Sequence, residues 1–234
     1  MRWKELGADG RFVISTSAHF SSAAHHRIST LPDVSDEHLL IFARYPELGK
    51  VKTRLAAGLG EEAALSIYRQ LLAHTRAAVA PLPAARTLWL AAAPPPAAGP
   101  LWPGTAQQLQ PVGADLGQRM AHAFAAAFAQ GARRVVVIGT DCPGLRTELL
   151  ATAFEQLRHH DVVLGPAADG GYYLLGLGQP QPALFEGIRW STDSVLRDTL
   201  AIAERQRLTV ARLPTLQDVD TAEDWQRWQA AAQG

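Results

Sequence analysis

The chain has 234 residues, 22 basic and 22 acidic side chains, and a formal net charge of zero. Nothing global therefore recruits nucleic acid or an anionic membrane, and any basic function must be local. A hydrophobic fraction of 47% is enough for a real core. One cysteine, Cys142, rules out an intrachain disulfide and suits a reducing, cytoplasmic compartment. No apolar run approaches the roughly 20 residues of a membrane span, and the N-terminus lacks the apolar core of a signal peptide.

Residues 1–37 have no periodicity. They are rich in Ser, Thr and His, including His19, His25 and His26. This stretch is expected to be a poorly ordered extension, with a single domain over 38–232. From there strands and helices alternate. Residues 38–44 (HLLIFAR) form a buried apolar run, and 61–80 carry Ala64, Ile67, Leu71, Leu72, Ala78 and Val79 at helical spacing. A strand is expected at 86–92, a Pro/Gly-rich loop at 94–104, and an Ala-rich helix at 115–130 with Gly131 as its C-terminal stop. Residues 134–140 (RVVVIGT) are the β-branched run of a central parallel strand. Beyond it come a helix at 147–159, a strand at 161–167, a tight Asp-Gly-Gly turn and a strand at 171–177. A helix at 191–207 capped by Ser191, a strand at 208–213 and a helix at 221–232 complete the chain. This alternation predicts a single-domain α/β fold, a mostly parallel sheet covered by helices on both faces. Ligands then bind at the carboxyl ends of the strands.

Chemistry is accordingly sought just after each strand. The first loop, Tyr45-Pro46-Glu47-Leu48-Gly49-Lys50-Val51-Lys52-Thr53-Arg54, holds three cations in five residues, following Arg44. Arg grips two phosphate oxygens at once and Lys supplies a point charge, while Gly49 allows close backbone approach. If the loop is extended, Lys50 and Lys52 point the same way. It is not a Walker A loop, since no glycine lies five residues before Gly49-Lys50. A solvated basic loop is the plain alternative.

Asp141 follows the central strand in Gly139-Thr140-Asp141-Cys142-Pro143, where a carboxylate can share a Mg²⁺ or Mn²⁺ with phosphate oxygens. The alternative is that Asp141 only shapes its turn. Cys142 reads as a small buried residue, with no histidine motif to activate it. Asp169-Gly170-Gly171-Tyr172 reads equally as an acceptor-side loop or a plain turn, with Asp169 the candidate base for an acceptor hydroxyl. Asp218 and Asp220, two apart before the last helix, can share a metal or cap the helix. Arg119, at a helix start after Asp115-Leu116-Gly117, can reach a base or a phosphate.

In this order, the motifs resemble the DUF2064 family. They are Phe42-Ala43-Arg44-Tyr45-Pro46 with Lys52-Thr53-Arg54-Leu55, Asp115-Leu116-Gly117 with Arg119-Met120, Gly139-Thr140-Asp141-Cys142-Pro143, Gly165-Pro166 with Asp169-Gly170-Gly171-Tyr172-Tyr173, Trp190-Ser191-Thr192 and Asp218-Val219-Asp220-Thr221 with Asp224. That family is described as glycosyltransferase-like, with some members called arsenosugar-biosynthesis glycosyltransferases, and the resemblance spans about residues 38–228. It implies a three-layer α/β/α GT-A fold, that of the nucleotide-diphospho-sugar transferases. It also implies kinship with molybdenum-cofactor nucleotidyltransferases and phospholactate guanylyltransferase. Lys52, beside Arg54, is then the lysine that meets nucleotide phosphates, Asp141 the metal ligand, and Asp220 a second metal contact. The sole Asp-x-Asp of the chain, Asp218-Val219-Asp220, sits late rather than at the central strand.

The implied activity is metal-dependent transfer from a nucleotide-sugar to a small-molecule acceptor, with a nucleoside diphosphate leaving. The alternatives are nucleotidyl transfer from a nucleoside triphosphate with release of pyrophosphate, and nucleotide binding without turnover. The oligomeric state, the base, the sugar and the acceptor are not legible in the sequence.

Overall fold

The computed structural model describes residues 35–111 and 114–232. The histidines of the N-terminal extension lie outside the described residues. Seven strands build one sheet: β1 (Glu37–Ala43), β2 (Ala85–Leu90), β3 (Ala106–Leu109), β4 (Arg134–Ile138), β5 (Val162–Pro166), β6 (Tyr172–Leu177) and β7 (Val210–Arg212). The helices are α1 (Thr53–Leu59), α2 (Glu61–Val79), α3 (Leu116–Ala129), α4 (Thr147–Gln156), α5 (Val195–Arg205) and α6 (Ala222–Ala232). The strand order is β3-β2-β1-β4-β6-β5-β7. Only β6 runs against its neighbours β4 and β5; the other pairings are parallel.

Strand alternation sorts the apolar residues into two layers. Leu39 and Ile41 of β1, Leu88 of β2 and Val136 and Ile138 of β4 face Tyr68 and Leu72 of α2 and Leu150 and Phe154 of α4. On the other face, Leu40, Trp89, Val135 and Val137 meet Met120 and Phe124 of α3 and Ile202 of α5. Both faces are buried, which is why these strands read as continuous apolar runs rather than alternating ones. A third cluster joins Leu55 of α1, Ile67 and Leu71 of α2, Val219, and the half-buried Trp225 and Trp228 of α6.

The structure departs from the sequence expectations at several places. Helix α1 and strand β3 were not expected. The first is seven residues long and ends at Gly60; the second, AQQL, is an edge strand with mostly exposed side chains and no apolar pattern. β4 is parallel to β1 but antiparallel to β6, so it is central in a mixed neighbourhood. Ser191 is not a helix cap. It sits in the left-handed region at φ 64, and α5 begins only at Val195 after Ser194.

The delayed start of α5 follows from packing. Residues Trp190–Asp193 are taken up by close contacts to two glycines. A Cβ on Gly117 would lie 2.3 Å from the Trp190 ring, and one on Gly170 would lie 2.2 Å from the Asp193 carbonyl oxygen. Gly170 is further committed by its φ of 90. The Leu-Gly of one motif and the Trp-Ser-Thr of another are thus two halves of one contact. Gly117→Ala is expected to cost about 1–3 kcal/mol, the usual range for overpacking. The cost should largely vanish in a Trp190→Ala background, as read by a double-mutant cycle in urea.

His38 is buried on β1, where its Nε2 lies 2.9 Å from Thr87 Oγ1. Burial holds its pKa below the ordinary histidine value. A depressed folded pKa means stability that is present above the unfolded pKa and lost as pH falls through it. The wild type should therefore lose stability relative to His38→Asn as pH falls below about 6.5, the ordinary histidine value. Parallel slopes of melting temperature against pH would remove His38 from that account.

Candidate functional site

β1 and β4 are neighbours, yet the chain leaves β1 towards β2 on one side and reaches β4 from the other. This is the switch point at which open α/β sheets bind ligands. A cleft of about 520 Å³ lies there, lined by the ends of β1 and β4, the first loop, the start of α3 and Asp218 and Asp220.

The first loop leaves β1 at a fixed point. The Tyr68 hydroxyl donates to the Arg44 carbonyl at 3.0 Å and accepts the Arg44 N–H at 2.9 Å. Gly49 then turns the chain at φ 73, and Val51 is buried. Lys52 takes a left-handed conformation at φ 49 and opens α1. This kinked path overturns the expectation that Lys50 and Lys52 point the same way. The Lys50 side chain is 70% exposed and pairs with Glu47 at 2.8 Å, whereas that of Lys52 is 6% exposed.

Lys52 is the hub of the site. Its Nζ lies 2.6 Å from Asp141 Oδ1 and 2.9 Å from Asp220 Oδ1, and donates to the Val219 carbonyl at 2.7 Å. An ammonium has three donors, and all three are engaged. Lys52 is therefore not a free phosphate clamp in this arrangement; it is the counter-ion of the two acids expected to hold a metal. Burial alone would lower its pKa, but Asp141 and then Asp220 outweigh that and hold it above the ordinary lysine value. Arg54, mostly exposed at the mouth, pairs with the other oxygen of Asp220.

The acids meet because the loops after β4 and β7 are tied by the backbone. The Val219 N–H donates to the Asp141 carbonyl at 2.9 Å, and the Val219 side chain is fully buried among Leu55 and Leu71. Neither Asp218 nor Asp220 caps α6. Thr221 and Asp224 do so reciprocally: the Asp224 carboxylate accepts from the Thr221 N–H at 2.8 Å, and the Thr221 hydroxyl accepts from the Asp224 N–H at 3.2 Å.

Asp218, which the spacing argument named only as half of an acidic pair, lines the cleft. Burial, then the charge of Asp141, pushes its pKa up to about 7. A carboxylate followed two residues later by a second one, with a buried Val between, was the signal for it. Cys142 is buried as expected, and burial raises its thiol pKa.

The other expected site residues divide. Arg44, Lys50, Thr53, Arg119 and Tyr172 line the cleft together with Lys52, Arg54, Asp141 and Asp220; Gly49, Asp169, Gly170 and Gly171 do not. Asp169 is exposed in the β5–β6 turn, where its Oδ1 accepts the Gly171 N–H at 2.9 Å. Gly170 serves the contact to Asp193, and its carbonyl accepts the Leu196 N–H at 2.9 Å. The Tyr172 hydroxyl is buried beside that of Thr199, away from the cleft's charged groups, so Tyr172 offers the cleft a ring rather than a polar handle.

Removing Lys52 would leave Asp141 and Asp220 facing one another with only the exposed Arg54 beside Asp220. Lys52→Met is expected to cost about 2–3 kcal/mol, below the 3–5 typical of fully buried pairs because Asp141 is 44% exposed. Millimolar Mg²⁺ should restore part of that loss. Denaturant unfolding with and without the metal measures both effects.

The profile of DUF2064, described as an uncharacterized protein conserved in bacteria, matches residues 73–192, just over half of the chain. No protein of curated function matches in sequence. Among solved structures, the chain is 39% identical to a protein from Desulfovibrio desulfuricans G20 provisionally described as a nucleotide-diphospho-sugar transferase. That likeness covers 80% of this chain and 83% of the other, with a TM-score of 0.74. At 13% identity, 4-diphosphocytidyl-2C-methyl-D-erythritol synthase from Anaerococcus prevotii DSM 20548 shares the fold (TM-score 0.54, covering 86% of this chain and all of that one). So does the manganese complex of Rv0371c from Mycobacterium tuberculosis H37Rv, at 16% identity (TM-score 0.50, covering 82% and 97%). The family profile and the 39% identity over most of both chains agree with the geometry of the cleft: the chain belongs to the DUF2064 family, built on the nucleotide-diphospho-sugar transferase fold.

Proposed function

We propose that the cleft binds a nucleotide-sugar and a small-molecule acceptor, and that the chain is a divalent-metal-dependent, glycosyltransferase-like enzyme whose leaving group is a nucleoside diphosphate. The observation that carries this is the convergence of Asp141 and Asp220 on one cation position, within 2.6 and 2.9 Å of a single nitrogen. The family relationship to a protein described as a nucleotide-diphospho-sugar transferase supports the choice of donor.

The donor set suits Mg²⁺ or Mn²⁺. Two carboxylates and the Val219 carbonyl are hard oxygens. Among the described residues no group of three or more His, Cys, Asp or Glu forms a closed metal cage. A bound cation would neutralise charge developing on the leaving diphosphate.

The chain's own residues supply the rest. Lys52 holds in register Asp141 and Asp220, the two carboxylates that would hold the metal. Arg54 and Arg44 add positive charge at the mouth, where they meet the diphosphate. Phe42, Met120 and Tyr172 give the cleft an apolar wall. Asp218 replaces Asp169 as the carboxylate placed to accept the acceptor's proton, because it lines the cleft and Asp169 does not.

Asp141→Ala is expected to lower metal-dependent turnover at least about 100-fold. A panel of nucleotide-sugars and nucleoside triphosphates, assayed with Mg²⁺ or Mn²⁺ for free diphosphate and for pyrophosphate, tests the reaction itself. Diphosphate release from a nucleotide-sugar supports the reading, and pyrophosphate release from a triphosphate replaces it with nucleotidyl transfer. Within an active system, Asp218→Asn should lose far more kcat than Asp169→Asn; the reverse order would return the base to the β5–β6 turn.

A further inference from the structure

The cleft is chemically divided along the sheet edge. Its acidic and basic groups cluster at the ends of β1 and β4, while Ala91 and Gln110 lie beyond the ends of β2 and β3, beside Leu116, Arg119 and Met120 of α3. Three strand spacings separate the β4 end from the β3 end, roughly 14 Å at about 4.8 Å each. A nucleotide with its phosphates at the charged end would lie along this edge with its base at the far end.

That far end holds a built donor. The Gln110 N–H donates to the Leu90 carbonyl at 2.9 Å, prolonging the β2–β3 ladder, and the side chain is buried. Its Nε2 donates to the Trp89 carbonyl at 3.0 Å, so the amide cannot flip and Oε1 is fixed as the free end. Arg119 Nη1 lies 3.5 Å from that Oε1, and Arg119 Nε donates to the Ala114 carbonyl at 2.8 Å. Two anchors thus set the plane of the guanidinium. Among the described residues no carboxylate pairs with it, and Nη2 and the second hydrogen of Nη1 have no partner. An arginine held in place, with apolar walls and no acid, is a donor pair awaiting two acceptors.

We infer that Arg119, oriented by Gln110, selects the nucleobase of the donor and favours one that shows two adjacent acceptors on a single edge. Guanine does so with O6 and N7, and cytosine with O2 and N3. Adenine and uracil alternate donors with acceptors and match a donor-only fork poorly. The inference rests on the nucleotide reading of the cleft and adds the class of base.

The test measures dissociation constants of ADP, GDP, CDP and UDP for the full chain with Mg²⁺ present, by calorimetry. GDP or CDP should bind at least about 10-fold more tightly than ADP and UDP, and the two arms show which of the pair is preferred. Arg119→Gln replaces a donor pair by one donor and one acceptor, the pattern that matches adenine. It should erase the preference and bring ADP level with or ahead of the former favourite. Equal affinity of the wild type for all four overturns base selection and leaves the nucleotide reading standing. A uniform loss across all four in Arg119→Gln also overturns it, placing Arg119 at the phosphates. No binding of any diphosphate overturns the nucleotide reading and this inference with it.

Discussion

The site depends on one ammonium group. Lys52 Nζ reaches two carboxylates and a carbonyl from the loops after β4 and β7, from a backbone in the left-handed conformation at the start of α1. Without that cation, Asp141, Asp218 and Asp220 would gather negative charge in a partly buried floor, where repulsion and desolvation both oppose folding. The lysine thus makes an acidic cluster compatible with the folded chain.

The rest of the fold can be read as support for that meeting. Tyr68 fixes where the first loop leaves β1, and Val219 buries itself among α1 and α2 so that the acids on either side of it reach the cleft. The Thr221–Asp224 cap starts α6 immediately after Asp220. The two-layer core around β1 and β4 is continuous on both faces, so the strand ends that carry these loops have little freedom. Such rigidity suits the proposed reaction, in which charges held in place stabilise a leaving group.

At the other end of the cleft the design changes. Charge gives way to aliphatic side chains, an amide and one arginine. The packing that shapes this end is unusually tight: Gly117, at the start of α3, admits the Trp190 ring where any side chain would clash. That contact delays α5 and ties α3 to the loop before it. Motifs that look like separate signatures in sequence are here the two sides of one surface.

The sequence by itself determined the strand–helix alternation, the buried strands β1 and β4, and the placement of Asp141 and the basic loop at strand ends. These follow from local periodicity and from which residues a sheet buried on both faces requires. It also carried the α3 start, where Asp115 and Gln118 form a capping box. Short elements with no apolar pattern, α1 and β3, were not legible, because their stability comes from neighbours rather than propensity. Only the tertiary structure decided that Lys52 serves the acids before any phosphate, that Asp218 rather than Asp169 faces the cleft, and that Gly170 answers to Asp193. Each of these is a contact between segments distant in the chain, and charge balance, burial and close approach between such segments leave no periodic trace.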